Sequence, residues 1–173
     1  NLKELSEAAG HELSSEDDIV AAARGLLSGA GIDTMLVTRG AQGMSLITAD
    51  GADHFPSRAR EVFDVSGAGD TVIATLAAGI AAGLSFVNAA QLANVAAGIV
   101  VGKTGTAVAY TEDILEDIDR AGDTSGPRSP TTIDAALDRI YHGNRETIAY
   151  AQTTIISRPY GYRVIGLCLV IRG

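Results

Sequence analysis

Two aspartates bracket two glycines and an alanine in Asp64-Val65-Ser66-Gly67-Ala68-Gly69-Asp70-Thr71, and small apolar residues follow from Val72. The apolar run opens a helix, so the N–H groups of Gly67, Ala68 and Gly69 face out of its N-terminus. Such an end carries about half a positive elementary charge and unpaired donors, which suits a phosphate. An aspartate inside an anion cradle repels phosphate, so Asp70 is badly chosen for holding one. It is well chosen for taking a proton from a hydroxyl that attacks one. The chemistry this spacing suits is phosphoryl transfer to an alcohol. The same glycines also suit a plain tight turn ahead of a helix.

The elements that position this segment are legible from periodicity. Residues 2–9 read as a short helix. Ser14 or Ser15 caps another, with Glu16, Asp17 and Asp18 in its first turn and Ile19, Val20, Ala23, Leu26 and Leu27 on one face; Gly29 to Gly31 end it. Thr34-Met35-Leu36-Val37-Thr38 is a buried strand, residues 39–43 are a turn, and Met44 to Thr48 return as a hairpin partner. Residues 53–56 extend as an edge. The helix after Asp70 runs to about Ala82, and Ser85 caps the next, from Phe86 to about Val101. Residues 103–106 form a loop, 107–110 a short strand, and Thr111 caps a last acidic helix over 112–119. Alternating strands and helices predict an α/β fold, a layered sheet with helices packed on it.

Composition narrows the partners. The 173 residues carry a formal charge of −8, which excludes a basic field for nucleic acid. Up to Asp123 there are 7 Lys and Arg against 18 Asp and Glu, and beyond it 6 against 3, so the character of the chain changes there. Residues 124–130, rich in Ser, Gly and Pro, read as a linker. Thr132 caps a predicted helix through Ile140, and residues 164–171 read as a lone apolar strand. The single cysteine, Cys168, leaves no intramolecular disulfide and fits a reducing cytoplasm. The most apolar run, 72–84, is shorter than the roughly 20 residues that span a bilayer. His11, His54 and His142 lack metal-ligand spacing and read as surface residues, and Cys168 as a core residue of its strand.

Four pieces, in order, carry a resemblance: Asn1-Leu2-Lys3-Glu4; Val37-Thr38-Arg39-Gly40-Ala41-Gln42-Gly43; the Asp64 to Asp70 segment; and 94–105 on the second small-residue helix and its loop. Together they resemble the C-terminal half of the ribokinase-like (PfkB-type) carbohydrate kinases. The likeness covers about residues 1–120. It is strongest to the heptose 7-phosphate kinase branch, through Leu36-Val37-Thr38-Arg39, Gly43-Met44-Ser45-Leu46 and Ala96-Ala97-Gly98-Ile99-Val100-Val101-Gly102-Lys103. The resemblance implies a ribokinase-like layered sheet with helices on both faces and the N-terminal half of the domain absent. It divides the chain into 1–123, half a kinase domain, and 124–173, a linker and unassigned tail. The implied reaction is ATP-dependent phosphorylation of the anomeric hydroxyl of D-glycero-D-manno-heptose 7-phosphate.

By the same resemblance Asp70 is the catalytic base, and Gly67, Ala68 and Gly69 offer backbone donors to the moving phosphoryl group. Glu4 orders Mg²⁺ through water, and Asn1, Leu2 and Lys3 accompany it beside the ATP phosphates. Thr38, Gly40 and Gly43 let the backbone approach the nucleotide, and Asn94 and residues 102–105 resemble the wall of the adenine pocket. The implied partners are a sugar phosphate and ATP, with no nucleic acid or membrane, and a homodimer stays open. Simpler readings stand beside these. Glu4 is otherwise an exposed helix carboxylate, and Asn94 a bond to a neighbouring backbone. Arg39 is either a solvated turn residue or a phosphate contact, and Asp64 either caps its turn or helps hold a monovalent cation. Two other functions stay open: another ribokinase-like sugar or nucleoside kinase, and a non-catalytic nucleotide-binding module. The His-x-x-His motif of an adenylyltransferase, which accompanies the kinase in the bifunctional members of that branch, does not occur in these residues.

Overall fold

The computed structural model describes residues 1–59, 61–105, 107–121, 149–158 and 161–171. Helices α1 (Leu2–Ala9) and α2 (Glu16–Ala30) lead into strand β1 (Thr34–Thr38). A 3₁₀ turn (Gly40–Gln42) connects it to β2 (Met44–Thr48), and β3 (Ala52–Phe55) follows. Then come α3 (Ala68–Ala81), α4 (Phe86–Val101) and α5 (Thr111–Ala121). The three strands form an antiparallel sheet in the order β1-β2-β3, with Leu36 opposite Leu46 and Met44 opposite Phe55.

β2 is the central strand, and its alternation decides the layers. Successive side chains on a strand point to opposite faces. Ile47 joins Val37, Leu5, Ile19, Ala23 and Leu27 in a cluster under α1 and α2. Met44 and Leu46 join Phe55, Val72, Ala90 and Ala93 in a cluster under α3 and α4. Helices therefore cover both faces of the sheet, and residues 44–47 are buried throughout. A third cluster, with Leu92, Val95, Ala96 and Ile114, fastens α5 onto α4. Alanine dominates the α3–α4 contact, and a Cβ on Gly79 would come within 3.1 Å of the Ala89 Cβ. Small residues let these two helices pack closely.

Two predicted elements differ. Residues 107–110 form no strand; they run irregularly, with Val108 and Tyr110 more than half exposed. The Lys103 ammonium donates to the Val108 carbonyl at 3.0 Å and to Asp113 at 2.7 Å, so a side chain ties this stretch down where no strand partner does. Thr111 lies inside α5, and the Asp113 carboxylate accepts the Tyr110 N–H at 3.3 Å just ahead of it. The terminal strand is not alone: β5 (Gly161–Ile171) pairs antiparallel with β4 (Ala149–Arg158) in a separate two-stranded sheet. The predicted linker and the helix from Thr132 lie outside the described residues.

Candidate active site

The N-terminus of α3 is left bare by its own sequence. Its cap residue is Gly67, with φ 80°, a left-handed conformation that glycine adopts without strain, and no side chain caps the helix. Helix α3 closes from the next turn, where the Thr71 N–H and hydroxyl both donate to the Gly67 carbonyl at 2.9 Å. Of the three expected donors, the Ala68 N–H is taken by the Val65 carbonyl at 3.2 Å. Asp64 accepts the Ser66 N–H at 2.8 Å, and donation from Ser66 holds its carboxyl below the ordinary range, with a smaller contribution from the Gly105 backbone. The Asp64 carboxylate thus stiffens the loop ahead of the helix. Asp70 stands exposed in the first turn.

Beside this helix end lies a cavity of about 250 Å³. Ala68, Gly69 and Val72 of α3 form one wall, and Asn94, Ala97 and Val101 of α4 another. Thr38, Gly40, Ala41 and Gly43 of the β1–β2 connection close a third side. Val62 and Val65, both more than half exposed, complete an apolar lining. Three stretches that are far apart in the chain therefore meet at one cleft. Its apolar faces suit a flat ring, and its phosphate-friendly end is the start of α3.

The cleft depends on close backbone approaches. Gly43 has φ 87°, and a Cβ there would collide with the Phe55 carbonyl and lie 2.6 Å from the Ser57 nitrogen. Gly43 is thus glycine because the end of β3 crosses it, a demand of the protein's own chain. A Cβ on Gly98 would come within 2.9 Å of the Arg58 Cβ. Asn94, nearly fully buried, donates from its amide to the Pro56 carbonyl at 2.7 Å. Gly43, Gly98 and Asn94 together seat residues 56–58 along the cleft. The sequence reading missed Val62, Val65, Ala97 and Val101; their signal was only apolarity beside a glycine-rich turn. Gly102 faces a different hollow, with Arg58, Glu61 and Asp117.

Asn1-x-x-Glu4 does other work in this structure. The Asn1 side chain accepts the Glu4 N–H at 3.0 Å, and the Glu4 carboxylate meets the Asn1 nitrogen at 2.5 Å, a capping box that starts α1. Leu2 packs into the cluster under α1 and α2, and Lys3 is exposed. None of the four lines the cleft. Among the described residues no group of three or more His, Cys, Asp or Glu side chains gathers to hold a metal. No helix among them is long and apolar enough to cross a membrane. Arg39 is neither solvated nor in the cleft: it is buried, and its guanidinium donates to Glu16 at 2.6 Å. His54, exposed, shares a hydrogen bond with buried Ser45 at 2.8 Å.

The bifunctional protein HldE of Paramagnetospirillum magneticum is 51% identical over 147 residues, which is 84% of this chain and 30% of that protein. HldE of Acidiphilium cryptum is 52% identical over 68% of this chain and 24% of its own length. The chain thus spans less than a third of the relatives it matches. Among solved structures, Arabidopsis thaliana ribokinase complexed with ribose and ATP superposes with a TM-score of 0.64 at 25% identity, over 68% of this chain and 39% of that one. Escherichia coli phosphofructokinase-2 in complex with potassium gives 0.63 at 20% identity, over 70% and 39%, a likeness of fold. The family model for pfkB carbohydrate kinases matches residues 1–113, and the chain belongs to that family.

Proposed function

We propose that this chain is the C-terminal half of an ATP-dependent sugar kinase domain, with residues 1–123 as that half and 124–173 as a linker and tail. The substrate is D-glycero-D-manno-heptose 7-phosphate, phosphorylated on its anomeric hydroxyl. One observation carries the reading: the turn of Thr38, Gly40 and Gly43 borders the same cleft as Ala68 and Gly69 at the bare end of α3, and Asp70, which is not part of the lining, follows exposed in that helix's first turn. The adenine ring would lie between Ala97, Val101 and the two valines, and the phosphates would run toward Gly67 and Gly69. Ala68 contributes through its place in the wall, since its N–H is already bonded.

Asp70 would accept the proton of the attacking hydroxyl as its oxygen bonds to the γ-phosphorus and ADP departs. The amides at the start of α3 would stabilise the charge that builds on the transferring group. Magnesium supplies neutralisation of the phosphate oxygens in such transfers. Glu4 fits it as a partner through water, since the carboxylate is 72% exposed and uses one oxygen in its capping box. The preference for a heptose phosphate rests on the resemblance to that branch and on the HldE relatives.

The test uses the full-length enzyme and its Asp70→Asn variant, measuring ADP release with heptose 7-phosphate, ribose and fructose 6-phosphate. The expected result is turnover on the heptose phosphate alone, and a fall of about two to four orders of magnitude in the variant with ATP affinity nearly kept. Near-normal turnover by Asp70→Asn removes the base. Faster turnover on another sugar reassigns the substrate.

A further inference from the structure

Arg39 sits between Thr38 and Gly40, both of which line the cleft, yet its own side chain turns to the opposite side of the sheet. There it is buried, with only 5% of the side chain exposed. One guanidinium nitrogen donates to Glu16 at 2.6 Å, and the other terminal nitrogen donates to the Gln42 carbonyl at 3.4 Å. Its Nε is buried with no hydrogen-bond partner. The Glu16 carboxylate is therefore the group that meets this buried charge. Glu16 itself belongs to the first turn of α2 and is 59% exposed. The backbone of the same arginine closes the turn, since its N–H donates to the Gly43 carbonyl at 2.7 Å and its carbonyl accepts the Gln42 N–H at 3.2 Å.

One residue thus shapes the cleft wall with its backbone and anchors that wall to a separate helix with its side chain. We infer that Arg39 and Glu16 form a strut that holds the 39–43 turn at the height nucleotide binding requires, making both of them positioning residues. The inference rests on the nucleotide reading of the cleft. The strut works because a charged fork and a carboxylate fix distance and direction together, which a packed apolar side chain does not. Glu16 also feels His54, and the pairing with Arg39 is the main reason its carboxyl lies below the usual range. Glu16 is not part of the cleft lining, so its effect on a ligand is indirect, and its hydrogen bond to Arg39 ties it to the turn.

The experiment compares the full chain with Glu16→Gln, Arg39→Met and the double variant. Two readouts are taken: backbone amide exchange at Arg39, Gln42 and Gly43 by NMR, and the affinity for a fluorescent ATP analogue. Each single variant is expected to speed exchange at these amides and to weaken the analogue by between about two- and thirtyfold. The double variant is expected to match Arg39→Met, because the pair acts as one unit. Unchanged exchange and affinity in Glu16→Gln overturns the strut, as does a double variant whose losses simply add. A wild-type chain that binds no analogue overturns the nucleotide reading and the positioning role with it, while faster exchange in the variants would leave the mechanical link between α2 and the turn in place. Because glutamine keeps a hydrogen-bond acceptor facing the Arg39 guanidinium, Glu16→Gln is the milder single variant, and thermal unfolding of each variant separates a loss of affinity from a loss of fold.

Discussion

The N-termini of α2 and α3 are built in opposite ways. At α2, Ser15 accepts the Asp18 N–H at 3.1 Å, and Asp18 accepts the N–H groups of Ser14 and Ser15 at 3.2 and 3.0 Å. Three acidic residues occupy its first turn. That end carries a capping box and three carboxylates of its own, which suit no anion. At α3 a glycine takes the cap position, no side chain caps the helix, and the preceding carboxylate, Asp64, bonds back to Ser66. The positive end of the helix stays open beside a cleft. Capping satisfies the donors that every helix start exposes, so an end whose cap position holds glycine forgoes a few tenths of a kcal/mol, on the order of 0.3, that a capping side chain would supply. The contrast teaches that the same physical feature is closed into the structure when capped and left available when bare next to a cavity.

The comparison can be broken most sharply at Gly69. A Cβ there meets open space, so valine should fold, and valine is no worse than glycine in a helix. Gly69→Val should weaken ATP binding by roughly tenfold or more, about 1.4 kcal/mol, with the melting temperature almost unmoved. Unchanged affinity by titration calorimetry would remove the bare end as a phosphate site. The converse applies at α2: Ser15→Ala should lower stability by about 1 kcal/mol in urea unfolding and weaken nucleotide binding far less than Gly69→Val does, since that end reaches the cleft only indirectly. A loss of affinity as large as that of Gly69→Val would erase the contrast between the two ends.

The smallest effect concerns acid. Hydrogen bonds from Ser15 and Ser14 lower the Asp18 carboxyl below its ordinary 3.8. A carboxyl depressed in the folded state adds stability above its unfolded value, and that stability disappears as pH falls through the depressed value. Asp18→Asn should therefore flatten the loss of stability below pH 3.8, measured by thermal unfolding across an acid series. An unchanged slope would show that this cap is held by the serine alone.

Helix and strand positions were largely legible because their signals are local. Ser15 and Ser85 announce helix starts, and residues 34–38 and 44–48 alternate around a short turn, so these elements fall where their patterns place them. The same local logic misled at 107–110, where alternating Ala-Val-Ala-Tyr looks like a strand but has no partner to pair with. It also left the apolar 164–171 stretch alone, since a register such as Gln152 opposite Cys168 is a nonlocal choice. At the N-terminus the capping box in Asn1-x-x-Glu4 was also readable from spacing, beside the metal contact that the resemblance implies.

What the residues alone determined is the chemistry on offer: an uncapped glycine helix start, an aspartate in its first turn, and a glycine-bounded turn after a strand. Each is a short-range property of the chain. Only the folded structure decided that these pieces border one cleft, that Gly43 yields to the crossing end of β3, and that Arg39 faces away to meet Glu16. Those outcomes depend on which surfaces exclude each other when the layers pack, and no window of neighbouring residues contains that information.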